Sequence, residues 1–311
     1  MSKNKPYRFV LYVLLEIVRH VILILPRLVG YFLADVIGYT ASLVLPKEQA
    51  KIKKNLRETL GSELTTAELN CVAPKIFINL AKTAVDVFQF PKLSPKRIEQ
   101  LVPYCEGIEN LEMAAKQSHG VIGLSAHIGN WELVAAFVMN LFPDRMVAVI
   151  ARKIYYEPFD KVLVSLRKYG RFGTIYRDGG LRQIISVLKK NGIIGIVPDQ
   201  DVEKLDSIFV DFLGRPAWTP TAPAKISLAT GSWIVPMFMI HEKNHYRMYI
   251  EKPILPIENM PKEEAIHRMT EQWSAAVEKF VRRYPDQWAW MHNRWKTQEK
   301  PEEIKSLERI S

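Results

Sequence analysis

The sequence predicts an α/β protein: a mainly parallel sheet flanked by helices, preceded by an apolar, helical, membrane-associated segment. Three observations predict it. From about residue 120 to 240, short apolar runs rich in Val and Ile alternate with helical stretches, and buried runs joined by helices build parallel sheets. The first 45 residues are nearly all apolar and carry basic flanks. Hydrophobic residues make up 48% of the 311 and charged residues 24%, which supplies a sizeable core and excludes a largely disordered chain. The expected division is a leader at 1–46 and a folded domain at 47–311.

The leader contains two apolar runs, 9–25 and 28–45, separated by Pro26-Arg27. Each approaches the length that spans a bilayer. In the first, Glu16, Arg19 and His20 are costly at bilayer depth. With Arg8, Tyr12 and Arg27 they recur at spacings of three and four, hence along one helical face. That pattern suits a helix lying in the interface, or one that spans with its polar face covered by protein. A buried helical hairpin is the plainer alternative. The second run holds Asp35, with Gly30 and Gly38 eight residues apart. Lys3, Lys5 and Arg8 precede the apolar stretch, and Lys47, Lys51, Lys53, Lys54 and Arg57 follow it. Basic flanks favour the cytoplasmic leaflet, at about 1 kcal/mol per charge near anionic lipid. No small-residue cleavage site marks a signal peptide.

Residues 48–90 are helical in character, with Thr65-Thr66-Ala67-Glu68 forming a capping box. Pro91 and Pro95 break the chain. The expected strands are 120–126, 146–151, 193–198, 233–240 and 246–251. The last two are close enough for a hairpin. Helices are expected at 131–140, 158–169, 181–190, 221–230 and roughly 262–284.

The net charge of +10 favours anionic partners: a membrane surface, nucleic acid or an acidic protein. With Cys71 and Cys105 as the only cysteines, a disulfide scaffold and a C-x-x-C zinc site are both excluded, and a reducing compartment is the simplest reading.

Chemistry concentrates in SAHIGNWEL (125–133). His127 and Glu132 are five positions apart, and in one continuous helix five residues turn about 140°, pointing the side chains apart. The segment therefore reads as strand, turn, helix. His127 ends the strand, Gly129 permits the turn and Asn130 caps the helix. Glu132, in the first helical turn, is then expected to fold back on His127 and orient it. The pair lies at a strand's carboxyl end, where open α/β sheets place their sites. No Ser or Cys nucleophile accompanies it, so the base would activate a substrate hydroxyl. The alternative is a capped helix start with an incidental histidine and a stabilising acid.

HIGNWE fits the H-x4-D/E signature of glycerolipid-type acyltransferases, and the chain resembles the late (lauroyl/myristoyl) acyltransferases of lipid A biosynthesis. The resemblance runs nearly end to end. It includes KKNLRETLG (53–61), ARKIYYEPFD (151–160), IIGIVPDQD (193–201), VDFLGRPAWTPTAPAKISLATGSWIVP (210–236) and PDQWAWMHNRWKT (285–297). It implies a glycerolipid acyltransferase-like fold with the His/acid pair at its centre. It also implies acyl transfer from acyl carrier protein or acyl-coenzyme A to a hydroxyl of a lipid A precursor or related glycolipid. The reaction runs by direct attack at the cytoplasmic face of the inner membrane, with no acyl-enzyme, metal or cofactor. Arg152 matches the second block, to hold a phosphate or the developing oxyanion, with Arg177 a further candidate for substrate binding. Asp199 and Asp201 match the third block, as residues that orient Arg152 or bind substrate. Read alone, their D-x-D spacing also fits a metal-dependent sugar-nucleotide transferase or a plain loop. Pro236 matches the fourth block, and proline marks an edge strand or bulge.

Two further features call for separate readings. His241-Glu242-Lys243-Asn244-His245 spells the H-E-x-x-H of zinc peptidases, a motif that works on a helix; here it falls between two strand-like runs and reads as a hairpin loop. The tail from Trp288 to Trp295 interleaves aromatic and basic residues, as nucleic-acid binders, membrane belts and packed cores all do. With part of the charge beside the apolar leader and part facing an anionic donor, nucleic acid is the least favoured partner. Besides acyl transfer, a zinc peptidase on His241, Glu242 and His245 and a non-catalytic membrane-surface adaptor remain as function classes.

Overall fold

A computed structural model of the chain describes residues 6–298; Lys3 and Lys5 of the basic flank, and the end of the second expected domain, lie outside them. The leader forms α1 (Pro6–Ile24) and α2 (Arg27–Val44). Next come α3 (Pro46–Leu60), which begins on a proline, and α4 (Thr66–Phe88), opened by the expected Thr65/Glu68 capping box. Helix α2 lies along α4. A Cβ on Gly38 would stand 2.5 Å from Ile78 Cα, and one on Gly30 2.9 Å from Val85 Cγ1. The eight-residue glycine spacing thus lets the two backbones approach.

The polar stripe of α1 is half-buried at Arg8, Tyr12, Glu16 and Arg19. The outward face of the leader is apolar, with Ile24, Phe32, Leu28 and Phe9 each more than half exposed. Helix α2 is the one described helix long and apolar enough, by length and composition, to cross a membrane.

The remaining elements are α5 (Pro95–Leu101), β1 (Tyr104–Glu106), α6 (Ile108–Ala115), β2 (Val121–Leu124), α7 (Trp131–Leu141), β3 (Val147–Ala151), α8 (Glu157–Tyr169), β4 (Gly173–Tyr176) and α9 (Leu181–Lys189). They continue with β5 (Ile193–Ile196), β6 (Ser207–Asp211), β7 (Pro216–Pro220), α10 (Ala222–Thr230), β8 (Trp233–Glu242), β9 (His245–Ile250) and α11 (Lys262–Arg283). The main sheet has the order β1-β9-β8-β2-β5-β3-β4. All neighbours in it are parallel except the β8–β9 hairpin. Strands β6 and β7 form a separate antiparallel pair. Strand residues alternate between two cores. Ile122, Ile194 and Ile234 face the core built with α3, α4, α9, α10 and α11. Val121, Ile193 and Val235 face the core built with α5, α6, α7 and α8.

Strand β8 is interior rather than an edge, and Pro236 sits at the other expected place for a proline, a bulge: from Met237–Ile250 to Ile234–Ile254, two residues of β8 oppose three of the neighbouring segment. Parallel pairing with β2 ends at Leu124–Pro236, and antiparallel pairing with β9 begins at Met237–Ile250. The Pro236 carbonyl accepts from Glu251 N–H on the β9 side. Its missing N–H faces that same side, and the regular ladder stops there.

Candidate active site

The central strands β2, β5 and β3 lie side by side, and their carboxyl ends deliver His127, Asp199 and Arg152 to one place. The chain turns after His127 at Gly129, whose φ is +56° and where a Cβ would fall 1.9 Å from the Met239 carbonyl oxygen. Only glycine fits both constraints. Asn130 then caps α7, its Oδ1 accepting from Leu133 N–H at 3.0 Å, as the strand–turn–helix reading expects.

The partner of His127 is Asp199. His127 Nδ1 lies 2.7 Å from Asp199 Oδ1, and the His127 backbone N–H donates to Oδ2 at 2.8 Å. Trp288 Nε1 donates to the same Oδ2 at 2.8 Å. Burial pushes the Asp199 carboxyl up, but the facing His127 charge and these donors outweigh it and hold the group well below the usual carboxylate range. For His127, burial works against the cation, and the charge and hydrogen bond of Asp199 overcome it, with a smaller contribution from Glu132; the pKa ends above its ordinary value. An ionised carboxylate only accepts, so Nδ1 carries the proton and Nε2 of the neutral ring is the unprotonated nitrogen.

Glu132 does not orient His127, which corrects the expected pairing. Its carboxylate receives both arms of Arg167 from α8, Nε at 2.9 Å and Nη2 at 2.6 Å. Both side chains are about nine-tenths buried. Neither acid takes its expected part. The acid close in sequence braces a helix, and the acid 72 residues away in sequence holds the histidine. Arg167 carried no motif to mark it, and its only signal was a cation in the last turn of an amphipathic helix.

Three more residues complete the surroundings of His127. Gln200 places its amide nitrogen 3.2 Å from each ring nitrogen of His127 and 2.9 Å from His292 Nε2. The His292 ring is 5.0 Å from that of His127, and burial, followed by the His127 charge, pushes its pKa down to about 4. The Trp131 ring meets His127 edge-on at 5.1 Å. The sequence assigns Gln200 and His292 no role of their own, although each stands inside a segment that carries the family resemblance, IIGIVPDQD and PDQWAWMHNRWKT.

His127 opens onto a cavity of about 520 Å³, within the usual range for ligand sites, about 300–1,000 Å³. Its polar lining includes Glu132, Arg152, Arg167, Arg177 and Gln200, and its apolar lining includes Val149, Leu163, Leu181, Ile184, Ile196 and Ile226. Arg152 is exposed there and has no ion-pair or hydrogen-bond partner among the described residues. Arg177 lines the same space, with its guanidinium 3.4 Å from Asp178. Asp201 corrects expectation: both of its oxygens are taken by Thr297, from the backbone N–H at 2.7 Å and Oγ1 at 3.0 Å. It fastens the tail and does not line the cavity. Nor does Asp199 orient Arg152, since its oxygens are committed to His127 and Trp288.

The H-E-x-x-H segment is the β8–β9 hairpin, with Lys243 at φ +53° in its turn. His241 pairs with Tyr246 and Glu242 with His245. Side chains alternate along a strand, so the two histidines fall on opposite faces and cannot share a metal as they would on a helix. In the tail, Trp288, Trp290 and Trp295 are buried in the core. Arg294, 1% exposed, donates to the Trp218 carbonyl and Thr219 Oγ1. This is core packing, with no stacking face left for bases or lipid.

The chain is similar in sequence to known proteins. The family model described as bacterial lipid A biosynthesis acyltransferase matches residues 2–297. A lipid A biosynthesis palmitoleoyltransferase of Escherichia coli is 25% identical over 280 residues, covering 88% of this chain and 87% of its own. A lipid A biosynthesis lauroyltransferase of the same organism is 26% identical over 291 residues, covering 91% and 89%. A phosphatidylinositol mannoside acyltransferase of Mycobacterium tuberculosis is 23% identical over 193 residues, 60% of this chain and 59% of that one.

Proposed function

Because the chain belongs to the bacterial lipid A biosynthesis acyltransferase family, we propose that it moves a fatty acyl chain from a thioester, on acyl carrier protein or coenzyme A, to a hydroxyl of a lipid A precursor or related glycolipid. The observation that carries this reading is the His127–Asp199 pair facing an apolar cavity whose lining contains neither Ser nor Cys. A base so placed acts on a hydroxyl brought by the substrate.

In the proposed sequence, His127 Nε2 takes the acceptor hydroxyl proton as that oxygen attacks the thioester carbonyl carbon. The carbon–sulfur bond then breaks, and the imidazolium returns its proton to the departing thiolate. Asp199 fixes the tautomer and stabilises the imidazolium. Arg152, exposed and unpaired, would receive a phosphate of donor or acceptor. Arg167 and Glu132 would hold α8 against α7 and so shape the groove for the chain. Arg177 keeps a secondary role in substrate binding.

The outward apolar face of α1 and α2 would sit in the cytoplasmic side of the inner membrane, where a lipid acceptor is found, with the α3 lysines beside anionic headgroups. The division into a leader at 1–46 and a catalytic domain from 47 belongs to this proposal. Mass spectrometry of total lipids from cells lacking the protein tests it: one glycolipid class should lose one acyl group, and an unchanged lipid profile would count against the reading.

A further inference from the structure

Another buried acid lies outside the site. Asp86, near the end of α4, is 4% exposed. Its Oδ1 accepts from Arg27 Nε at 2.7 Å, and its Oδ2 accepts from Arg27 Nη2 at 3.0 Å, Tyr31 Oη at 2.5 Å and Tyr246 Oη at 2.6 Å. Burial, then the Asp86 charge, drives the Tyr246 phenol far above its ordinary pKa, so it keeps its proton. That single proton goes to Asp86, which leaves the phenol oxygen to accept from Asn130 Nδ2 at 3.3 Å. The Asn130 amide is thereby fixed at both ends, donating to Tyr246 and accepting from Leu133 N–H. One residue earlier, the Gly129 carbonyl accepts from Thr83 Oγ1 at 3.0 Å. Helix α4 therefore grips, directly or through Tyr246, both residues between Ile128 and the start of α7. That helix opens with Trp131 and Glu132, which both line the cavity.

We propose that Asp86 and Tyr246 are positioning residues, and that the directed chain Asn130 to Tyr246 to Asp86 sets the approach of α7 to His127. The proposal rests on the acyl-transfer reading of the cavity. Arg27 supplies the charge that lets a carboxylate stand in that place, so the first residue of α2 also supports the brace. Misplacement of reacting groups by about 1 Å costs on the order of 100-fold in rate. A loosened cap should cost part of that.

The test compares two single-oxygen deletions in the full chain. Tyr246→Phe cuts the link to Asn130, while Tyr31→Phe removes a hydrogen bond to the same Asp86 oxygen, an acceptor of Arg27 Nη2 and a 3.3 Å contact with Tyr246 Oη, yet leaves the Asn130–Tyr246–Asp86 bonds themselves in place. The expected result is a kcat about tenfold lower for Tyr246→Phe with KM within twofold, and a kcat within twofold of wild type for Tyr31→Phe, at similar losses of Tm. Asn130→Ser retains a capping hydroxyl but is too short to reach Tyr246, and should repeat the Tyr246→Phe loss. Equal loss in both tyrosine variants, or in neither, overturns the proposal. Its failure is separable from that of the acyl-transfer reading. In histidine-labelled protein the His127 ring resonances, set partly by the Trp131 ring current, should move in Tyr246→Phe and stay in Tyr31→Phe. His127 resonances unmoved by Tyr246→Phe overturn the brace, whether or not the wild type transfers an acyl group.

Discussion

Replacing Asp199 by asparagine perturbs one oxygen and has a consequence that the geometry determines. Oδ2 accepts two donors that cannot reverse, the His127 backbone N–H and Trp288 Nε1–H, whereas Oδ1 accepts only His127 Nδ1. Asparagine has one accepting oxygen. Placed at the Oδ2 position, it satisfies both fixed donors and turns its NH2 towards Nδ1; placed the other way, it sets two N–H groups against NH2. Each unsatisfied buried group costs about 1–3 kcal/mol, so the first orientation wins. The neutral ring must then carry its proton on Nε2, the atom that has to be bare. Restoring the competent tautomer costs about 1–3 kcal/mol, and losing the charge-assisted bond to the imidazolium costs about another 1.5–3. The sum, about 2.5–6 kcal/mol, lowers kcat by roughly 10² to 10⁴ at 1.36 kcal/mol per decade. The pH profile adds a sign. Asp199 raises the His127 pKa against burial, so the wild-type rate should fall as pH drops through a value above the ordinary histidine one of about 6.5. In Asp199→Asn the carboxylate's lift is gone and burial remains, so any residual activity should keep its acid limb at lower pH. Initial rates of thioester-to-glycolipid transfer across pH measure both. A variant within threefold of wild-type kcat, or with its acid limb unmoved, would refute the pairing.

Other outcomes follow from the same geometry. Glu132→Gln leaves the Arg167 guanidinium buried without its counter-charge, a loss of about 3–5 kcal/mol for a broken buried pair. Denaturant unfolding should show it, and Glu132→Gln with Arg167→Met together should recover part of it; two independent, additive losses would contradict the paired assignment. Phe32→Asp with Ile37→Asp puts charge on the exposed face of α2, where both residues are more than half exposed. This variant should lose flotation with anionic vesicles while keeping the wild-type Tm, and undiminished flotation would remove that face from the membrane proposal.

Much of the architecture was legible because it is local. The Thr65/Glu68 box, the Asn130 cap and the Gly129 turn are short-range patterns, and α7 to α10 begin within one residue of their expected starts. The α1 stripe is legible in part, since a three-to-four spacing fixes a face: Arg8, Tyr12, Glu16 and Arg19 are half-buried, whereas His20 is exposed and Arg27 begins α2. The elements missed are short ones: helices α5 and α6, of seven and eight residues, the first beginning on the Pro95 expected to break the chain, and four strands with little periodicity to show. Strand β1 has three residues, β4 is Gly-Thr-Ile-Tyr, and β6 and β7 meet across a turn in which Leu213 and Gly214 take positive φ. The site failed in a different way. The sequence singles out His127, Glu132 and Asp199 but pairs His127 with Glu132, because sequence distance favours the neighbour five residues on; the structure pairs it with Asp199. Which strand lies beside β2 is a property of the sheet order, and only β5 in that place brings Asp199 to the imidazole.

The central claim is that His127, held by Asp199, is the base that activates a lipid hydroxyl. The direct measurement is transfer of labelled acyl chain from acyl carrier protein or coenzyme A to a purified lipid A precursor, by wild type and by His127→Ala at matched folded concentration. The account expects transfer by the wild type and loss of at least about 10² in rate in the variant, the lower end of what a positioned base contributes. Equal rates in the two proteins would contradict it.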